Sequence, residues 1–204
     1  MTRHSWASRG AFLLWSAVAA AVLLPPSTAA AQKFSIKSVA EKKVAQLPPG
    51  PWYWRVDTFP TLAQANAAAG PTALAAEVAG KDWLFTLGPK GGSSPGGHEV
   101  AEIGPVPGFQ ASEYLLRINS TGGPPGAKTP VHTHPGSETF YVVSGELSQK
   151  TPQGVSHVEA GHSMPGHGPG MPMEVSSSGT GELQALVMFV VDASKPFSSP
   201  ATLP

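Results

Sequence analysis

The segment 126–145, GAKTPVHTHPGSETFYVVSG, constrains the fold of this chain more than any other stretch. His132 and His134 lie two positions apart in a Pro-bounded, extended segment, so both imidazoles would project from the same face of a β-strand. Glu138 follows after a short turn. Two neutral imidazoles and one carboxylate form a ligand set that suits a divalent transition metal such as Fe, Mn, Ni, Zn or Cu. The segment therefore predicts a metal site carried by short strands.

The spacing of these residues resembles the first signature of the cupin family. Its order is reproduced in full by Gly126, five residues, His132, one residue, His134, three residues, Glu138, six residues and Gly145. The resemblance implies an all-β fold, a single antiparallel cupin β-barrel (jelly roll), with a metal held in its mouth by the two histidines and the glutamate. It leaves the reaction open, because one fold hosts many unrelated functions.

A second signature of the family supplies one more histidine ligand and is only partly present in residues 161–177. When the stretch is aligned on Gly170, Met173 occupies the histidine position. Three alternatives follow: the first three ligands bind the metal with water, Met173 or His167 adds a fourth ligand or a pocket wall, or the site is too weak to hold a metal. Met173 suits packing better than ligation, because methionine fills cores well and binds hard cations poorly.

Two functional hypotheses follow from such a site. In the first, the protein is a metal-dependent oxidoreductase, such as a dioxygenase, in which Glu138 holds the metal or takes a proton from a small organic substrate. Phe140 and Val142 share the strand parity of Glu138, and together with Met188 they would form the dry wall of the pocket. In the second, the site captures a small ligand or a metal without turnover, which the loss of the fourth histidine favours.

Residues 1–31 have the character of a secretory signal peptide, with a basic start, an apolar run over 11–24 and an Ala-x-Ala cleavage site ending at Ala31. The apolar run is shorter than the roughly 20 residues that span a bilayer, so cleavage is expected rather than stable membrane anchoring. The mature protein is therefore predicted to be secreted or periplasmic. Asn119 begins a glycosylation sequon by pattern, which matters only in an organism that glycosylates.

The remainder of the chain is sufficient for one domain. Its predicted parts are a poorly ordered N-terminal arm, short helices packed on the barrel, the cupin β-barrel domain and a Pro/Ser tail, over residues 32–51, 52–81, 82–192 and 193–204. The helices are two Ala-rich segments, 61–69 and 71–79, with Pro71 suited to a first helical position and Gly80 to a stop. Segment 182–191 is the most apolar strand and is expected to cross the core.

Composition narrows the range of partners. Lys plus Arg and Asp plus Glu number 13 each, without a basic run, so the sequence does not indicate a nucleic-acid partner. There is no cysteine, which excludes disulfides and thiolate ligands. The 23 glycines and 22 prolines suit many short strands joined by tight turns. A small-molecule ligand is expected, and so is a homodimer, because single barrels of the family that this chain resembles commonly pair and hide their edges.

Overall fold

The computed structural model of the chain describes residues 1–2 and 33–204. Its strands, in chain order, are β1 (Ser35–Val44), β2 (Trp52–Phe59), β3 (Ala73–Val78), β4 (Lys81–Gly88), β5 (His98–Val106), β6 (Tyr114–Gly123), β7 (His132–Thr133), β8 (Gly136–Ser144), β9 (Glu146–Thr151), β10 (Gly154–Glu159), β11 (Ser163–Met164), β12 (Glu174–Ser177), β13 (Leu183–Asp192) and β14 (Ser199–Pro200). The helix in this part of the chain is α1 (Leu62–Ala68). The strand pairings are antiparallel, as the predicted all-β fold requires.

A five-stranded sheet in the order β1-β6-β13-β8-β11 forms the middle layer of the fold. Its central strand β13 is buried along almost its whole length. Leu186 and Met188 pack with the four-stranded sheet β3-β4-β2-β5 on one face. Val187 and Phe189 point to the opposite face, where the core is shared with β9, β10 and β12. Because β13 is covered on both sides, it needs apolar residues at both parities, which explains its continuous apolar sequence.

The second face of the middle sheet carries the residues of the candidate site in rows across neighbouring strands. Arg117 of β6 pairs with Phe189 of β13, and Phe189 pairs in turn with Glu138 of β8. The next row consists of Asn119, Val187 and Phe140. Since neighbouring strands lie about 4.8 Å apart, the backbones of Arg117 and Glu138 are separated by about 10 Å across one sheet face.

The N-terminal arm predicted as poorly ordered contains strand β1, so that prediction is wrong for residues 35–44. This strand pairs with β6 over its whole length, from Ser35 opposite Gly122 to Val44 opposite Tyr114. Most of its side chains are exposed or only partly buried. Backbone hydrogen bonds therefore hold β1 in place, and its weak apolar pattern gave no sign of a strand.

The second predicted helix, over residues 71–79, is also wrong, because this segment contains strand β3. Leu74, Ala76 and Val78 alternate towards the core against β4, which is the two-residue period of a strand. The first Ala-rich segment does contain a helix, α1, whose N-cap Thr61 accepts a hydrogen bond from the backbone N–H of Gln64 at 3.2 Å.

The C-terminal tail is not a free Pro/Ser segment. Residues 199–200 form β14, which pairs with β7, and Ala201 donates its N–H to the carbonyl of Val131 at 3.1 Å. The tail thus lies directly on the strand that carries His132. The predicted signal peptide falls outside the described residues apart from its first two positions. Nowhere in the described part of the chain does a helix have the length and apolarity needed to cross a membrane.

Candidate functional site

A cavity of about 430 Å³ opens on the second face of the middle sheet. Its walls include His132, His134 and Glu138, so the residues of the first sequence motif line one common space. Phe140 lines it as predicted from its parity with Glu138. β1, β6 and the C-terminal tail supply further lining residues, and most of the lining is apolar. Such a space suits a small organic molecule.

The two imidazoles are held by hydrogen bonds to backbone carbonyls. His132 Nδ1 lies 2.9 Å from the oxygen of Pro130, and His134 Nδ1 lies 2.7 Å from the oxygen of Phe197. A carbonyl oxygen can only accept, so each Nδ1 carries the proton. In the neutral ring the lone pair is therefore on Nε2. Hydrogen bonds of this kind fix both the tautomer and the orientation of histidines that bind metals.

Burial keeps His134 in the neutral form that a metal ligand needs. Its side chain is only 6% exposed, and desolvation lowers its pKa from 6.5 to about 4. The hydrogen bond to Phe197 opposes this shift, while the nearby His132 and Arg117 add to it. At neutral pH the imidazole of His134 is uncharged, so no proton has to leave before it can donate a lone pair.

Glu138 is a buried carboxyl without a cationic partner among the described residues. It is 2% exposed, and desolvation raises its pKa from 4.5 to about 8. The amide of Gln149 donates a hydrogen bond to Oε1, which partly opposes this shift. A bound cation would restore the charged form, because an opposite charge within a few ångströms favours the carboxylate.

Met173 fills the position of the missing histidine as a packing residue. It is 1% exposed, and its sulfur accepts a hydrogen bond from Gln149 Nε2 at 3.2 Å. Its backbone is paired with that of His132 through reciprocal bonds of 2.9 Å. The side chain of His167 is half-buried, and its backbone carbonyl accepts a hydrogen bond from the backbone N–H of Glu138 at 3.4 Å. Neither Met173 nor His167 lines the cavity, so a fourth ligand from either residue has no support.

The predicted pocket residue Met188 is on the wrong side of the sheet. It belongs to the core under the four-stranded sheet, whereas its neighbour Phe189 lines the cavity. The reason is strand parity, since adjacent residues of a strand point to opposite faces. Val142 has the predicted parity but is fully buried in the core next to the cavity.

Several residues that line the cavity are not predicted from the sequence, and three of them bear on its chemistry. Arg117 and Asn119 share one parity of β6 and line the cavity from the sheet face that also carries Glu138, two strands away. Phe197 comes from the C-terminal tail, and its ring lies 4.8 Å from that of His134 and 4.9 Å from that of Phe189, between centroids. The alternation in β6 could have indicated the first two residues, whereas the sequence around Phe197 carries no signal for its position. Asn119 is only 3% exposed, so its sequon lies in a buried strand.

The motif side chains do not form a ready-made metal centre. The imidazoles of His132 and His134 are nearly perpendicular, with centroids 4.9 Å apart. Glu138 is turned towards Gln149. Among the described residues, no three His, Cys, Asp or Glu side chains stand close enough together to hold a metal ion as placed. The assignment of the three ligands therefore stays a prediction, supported by donor chemistry and a shared cavity.

Comparison with protein families matches residues 123–189 to a family described as Cupin domain. The solved structures similar to this chain include a DMSP lyase, DddQ, from Ruegeria pomeroyi, at 21% identity and a TM-score of 0.37, covering 42% of this chain and 43% of that one. They also include the polyketide cyclase RemF from Streptomyces resistomycificus, at 19% identity and a TM-score of 0.37, covering 44% of this chain and 62% of that one.

A third similar structure is an uncharacterized protein with a double-stranded β-helix domain from Klebsiella pneumoniae, at 25% identity and a TM-score of 0.36, covering 44% of this chain and 75% of that one. The chain thus spans less than two thirds of the first two structures. A comparison with curated proteins finds no match. The family match covers residues 123–189, which hold both motif segments.

Proposed function

We propose that the cupin domain of this chain binds a divalent transition metal through His132, His134 and Glu138 and uses it on a small organic molecule held in the adjoining cavity. One observation carries the proposal. Both imidazoles commit Nδ1 to a backbone carbonyl, at 2.9 Å and 2.7 Å, which leaves the Nε2 lone pair of each ring available to a metal in a cavity that Glu138 also lines. Two imidazole nitrogens and one carboxylate form a set that leaves coordination positions open for a substrate.

A metal bound here would supply Lewis-acid chemistry to an oxygen of the substrate. The protein's own groups have separate tasks. Glu138 must release its proton on metal binding, and the hydrogen bond from Gln149 favours that charged form. Phe140 and Phe189 line the cavity with apolar surface that excludes water. The backbone carbonyls of Pro130 and Phe197 fix the orientation of the two rings.

A second candidate function is capture of a small ligand without turnover. It is favoured by the packing of Met173, which is buried and bonded to Gln149 at the place of the fourth ligand. A site with three protein ligands that have yet to converge would hold a metal less firmly than a complete set. Oxygen uptake and product formation separate the two functions, because the capture function predicts a filled site with no consumption of phenolic, dicarbonyl or sugar substrates.

The metal content of untagged protein tests the proposal. The wild type is expected to retain a transition metal in stoichiometric amount after dialysis, as measured by mass spectrometry of the elements. His132→Ala is expected to lose it, because one of the two imidazole donors is removed. His157→Ala is the matched control, since His157 is an exposed residue of β10 that is bonded to Glu146. Equal metal in wild type and His132→Ala would overturn the ligand assignment.

We also infer that the protein is exported, with the signal peptide removed after Ala31. The apolar run and the cleavage site support this inference. Mass spectrometry of the protein from the extracytoplasmic fraction is expected to give a first residue of Gln32. Intact residues 1–31 on a cytoplasmic protein would contradict it.

We further infer that the protein pairs with a second copy. β1 and β10 stand at the ends of their sheets, and such edges are commonly covered by association. Light scattering on the purified protein is expected to give a dimer mass, and a monomer at high concentration would refute the inference.

A further inference from the structure

We propose that Arg117 and Asn119 form a carboxylate-binding subsite, so that the molecule taken into the cavity is a small organic acid with an apolar body. The subsite lies on β6, two strands away from Glu138 on the same sheet face and in the same cavity. The identification of this acid as a substrate depends on the proposed function, whereas the binding of the acid does not. Both residues use the strand parity that faces the cavity.

Asn119 supplies unpaired donors to the cavity. Its side chain is 3% exposed, and its Oδ1 accepts a hydrogen bond from Arg117 Nε at 3.1 Å. That bond fixes the orientation of the amide and leaves Nδ2, with its two protons, without an acceptor among the described residues. Nδ2 is not among the fully buried polar atoms without a partner, so it is open to the cavity that Asn119 lines, and an oxygen of a ligand at this point can accept from it.

Arg117 lines the same cavity, and the two Nη groups of its guanidinium have no hydrogen-bond partner among the described residues. Its Nε is committed to Asn119, and its Cζ lies 4.4 Å from the centroid of Phe197, which holds the plane of the group. Its nearest carboxylate is Glu41, whose Oε2 is 3.9 Å from Nε and whose side chain is 57% exposed. A pair at this distance and exposure neutralises little of the charge. The two Nη groups therefore remain available for the bidentate binding that carboxylates prefer.

The position of Arg117 limits the size of the acid. Phe197 contacts both Arg117 and His134, at 4.4 Å to Cζ and 4.8 Å between ring centroids, so Cζ and the imidazole centroid are at most about 9 Å apart. Phe189 lies in the same row, between Arg117 and Glu138. An acid with its carboxylate on Arg117 would therefore pass its apolar body over Phe189 and bring its other end to the motif.

Calorimetric titration of the metal-free protein with benzoate tests this subsite without reference to catalysis. Benzamide, which has nearly the same shape and no charge, is the matched ligand. We expect benzoate to bind wild type at least about tenfold more tightly than benzamide, because a charge-assisted pair is stronger than a neutral one. Arg117→Met is expected to weaken benzoate binding about tenfold or more and to leave benzamide unchanged. Arg117→Lys is expected to fall between the two, because it keeps the charge and loses the fork.

Lys43→Met is the control, since it removes an exposed cation of β1 that is paired with Glu113 at 3.1 Å. It is expected to bind benzoate as the wild type does. Thermal unfolding of each variant establishes that it is folded before titration.

The subsite is overturned if wild type binds benzoate no better than benzamide. It is also overturned if Arg117→Met and Arg117→Lys, both folded, bind benzoate as tightly as wild type does. Failure of the proposed function has a different signature, because the wild type would then bind benzoate through Arg117 while holding no metal after dialysis. If the wild type retained metal after dialysis but did not bind benzoate, the subsite would be refuted and the proposed metal site would stand.

Discussion

Replacing Glu138 by glutamine should remove a large pH-dependent component from the stability of the metal-free protein. Burial raises the pKa of this carboxyl from 4.5 to about 8. The native state therefore keeps the proton up to about pH 8, whereas the unfolded chain releases it near pH 4.5. A raised native pKa contributes stability that is fully present below the unfolded value and is lost as the pH rises through the native value. Glu138 thus lowers the free energy of unfolding progressively across this interval.

The magnitude follows from the interval between the two pKa values. Each pH unit contributes about 1.4 kcal/mol, so the total is about 5 kcal/mol as an upper limit. No discount for solvent is needed, because the side chain is 2% exposed. His134 has the opposite effect on the pH dependence, because burial lowers its pKa from 6.5 to about 4. The stability that its neutral form contributes is present above pH 6.5 and is lost as the pH falls towards 4. The difference between wild type and Glu138→Gln isolates the glutamate, because both proteins contain His134.

Urea unfolding with a chelator present, at several pH values between about 5 and 9, measures this difference. Glutamine keeps an acceptor oxygen for Gln149 and cannot ionise. The variant should therefore gain stability over wild type as the pH rises, by up to about 1.4 kcal/mol per pH unit, and the gain should level off above about pH 8. Glu77→Gln, at an exposed position of β3, is the control. Its free energy of unfolding should depend on pH as that of the wild type does. Parallel profiles for wild type and Glu138→Gln would refute the reasoning.

Substitutions at three residues that neighbour the site give further tests. Met173→Leu should keep the metal content of the wild type, because we expect Met173 to pack rather than to ligate; loss of metal in this variant would contradict that role. Met173→Ala should lower the free energy of unfolding by about 2 to 5 kcal/mol, because it leaves a cavity in the core. Gln149→Leu removes the donor that favours the charged form of Glu138, so metal affinity measured against a competing chelator should fall about 10- to 100-fold. Phe197→Ala removes the ring beside His134 and should lower the metal affinity about tenfold in the same assay. An unchanged metal affinity in Gln149→Leu or in Phe197→Ala would show that the replaced side chain does not support the ligands.

The motif residues are predictable as one group because they lie close together in the sequence. His132, His134 and Glu138 lie within one short segment, and the parity of Phe140 relative to Glu138 follows from the two-residue period of a strand. The cavity confirms that this group shares a wall. Local spacing says nothing about how close the side-chain tips come, and Glu138 is turned towards Gln149, which is on another strand.

The error over Met188 has a physical cause in the burial of β13. A strand with one solvated face alternates between apolar and polar residues, so its inward parity can be seen in the sequence. β13 is covered on both faces and is apolar at both parities, so its sequence is consistent with either orientation. Only the pairing of Phe189 with Arg117 and Glu138 decides which residues face the cavity.

The segments β1 and β3 were misassigned for different reasons. β1 is an edge strand with mostly exposed side chains, so its sequence lacks the apolar alternation that identifies strands. β3 is rich in alanine, which fits a helix as well as a buried strand position. Its hairpin to β4 turns at Ala79 and Gly80, whose φ angles of 53° and 67° are those of a turn with two left-handed residues. Gly80 thus marks a turn between strands rather than the end of a helix.

The contribution of the tail could not have been predicted from side-chain identity at all. His134 is oriented by the backbone carbonyl of Phe197, which lies 63 positions away in the chain. Every residue type carries such a carbonyl, so the sequence does not mark it. What the sequence does specify is the aromatic ring, which contacts His134 and Phe189 and lies under the guanidinium of Arg117. The ring fixes the tail, and the tail then presents the carbonyl. One residue outside the family match therefore links His134, a proposed metal ligand, to Arg117 of the proposed carboxylate subsite.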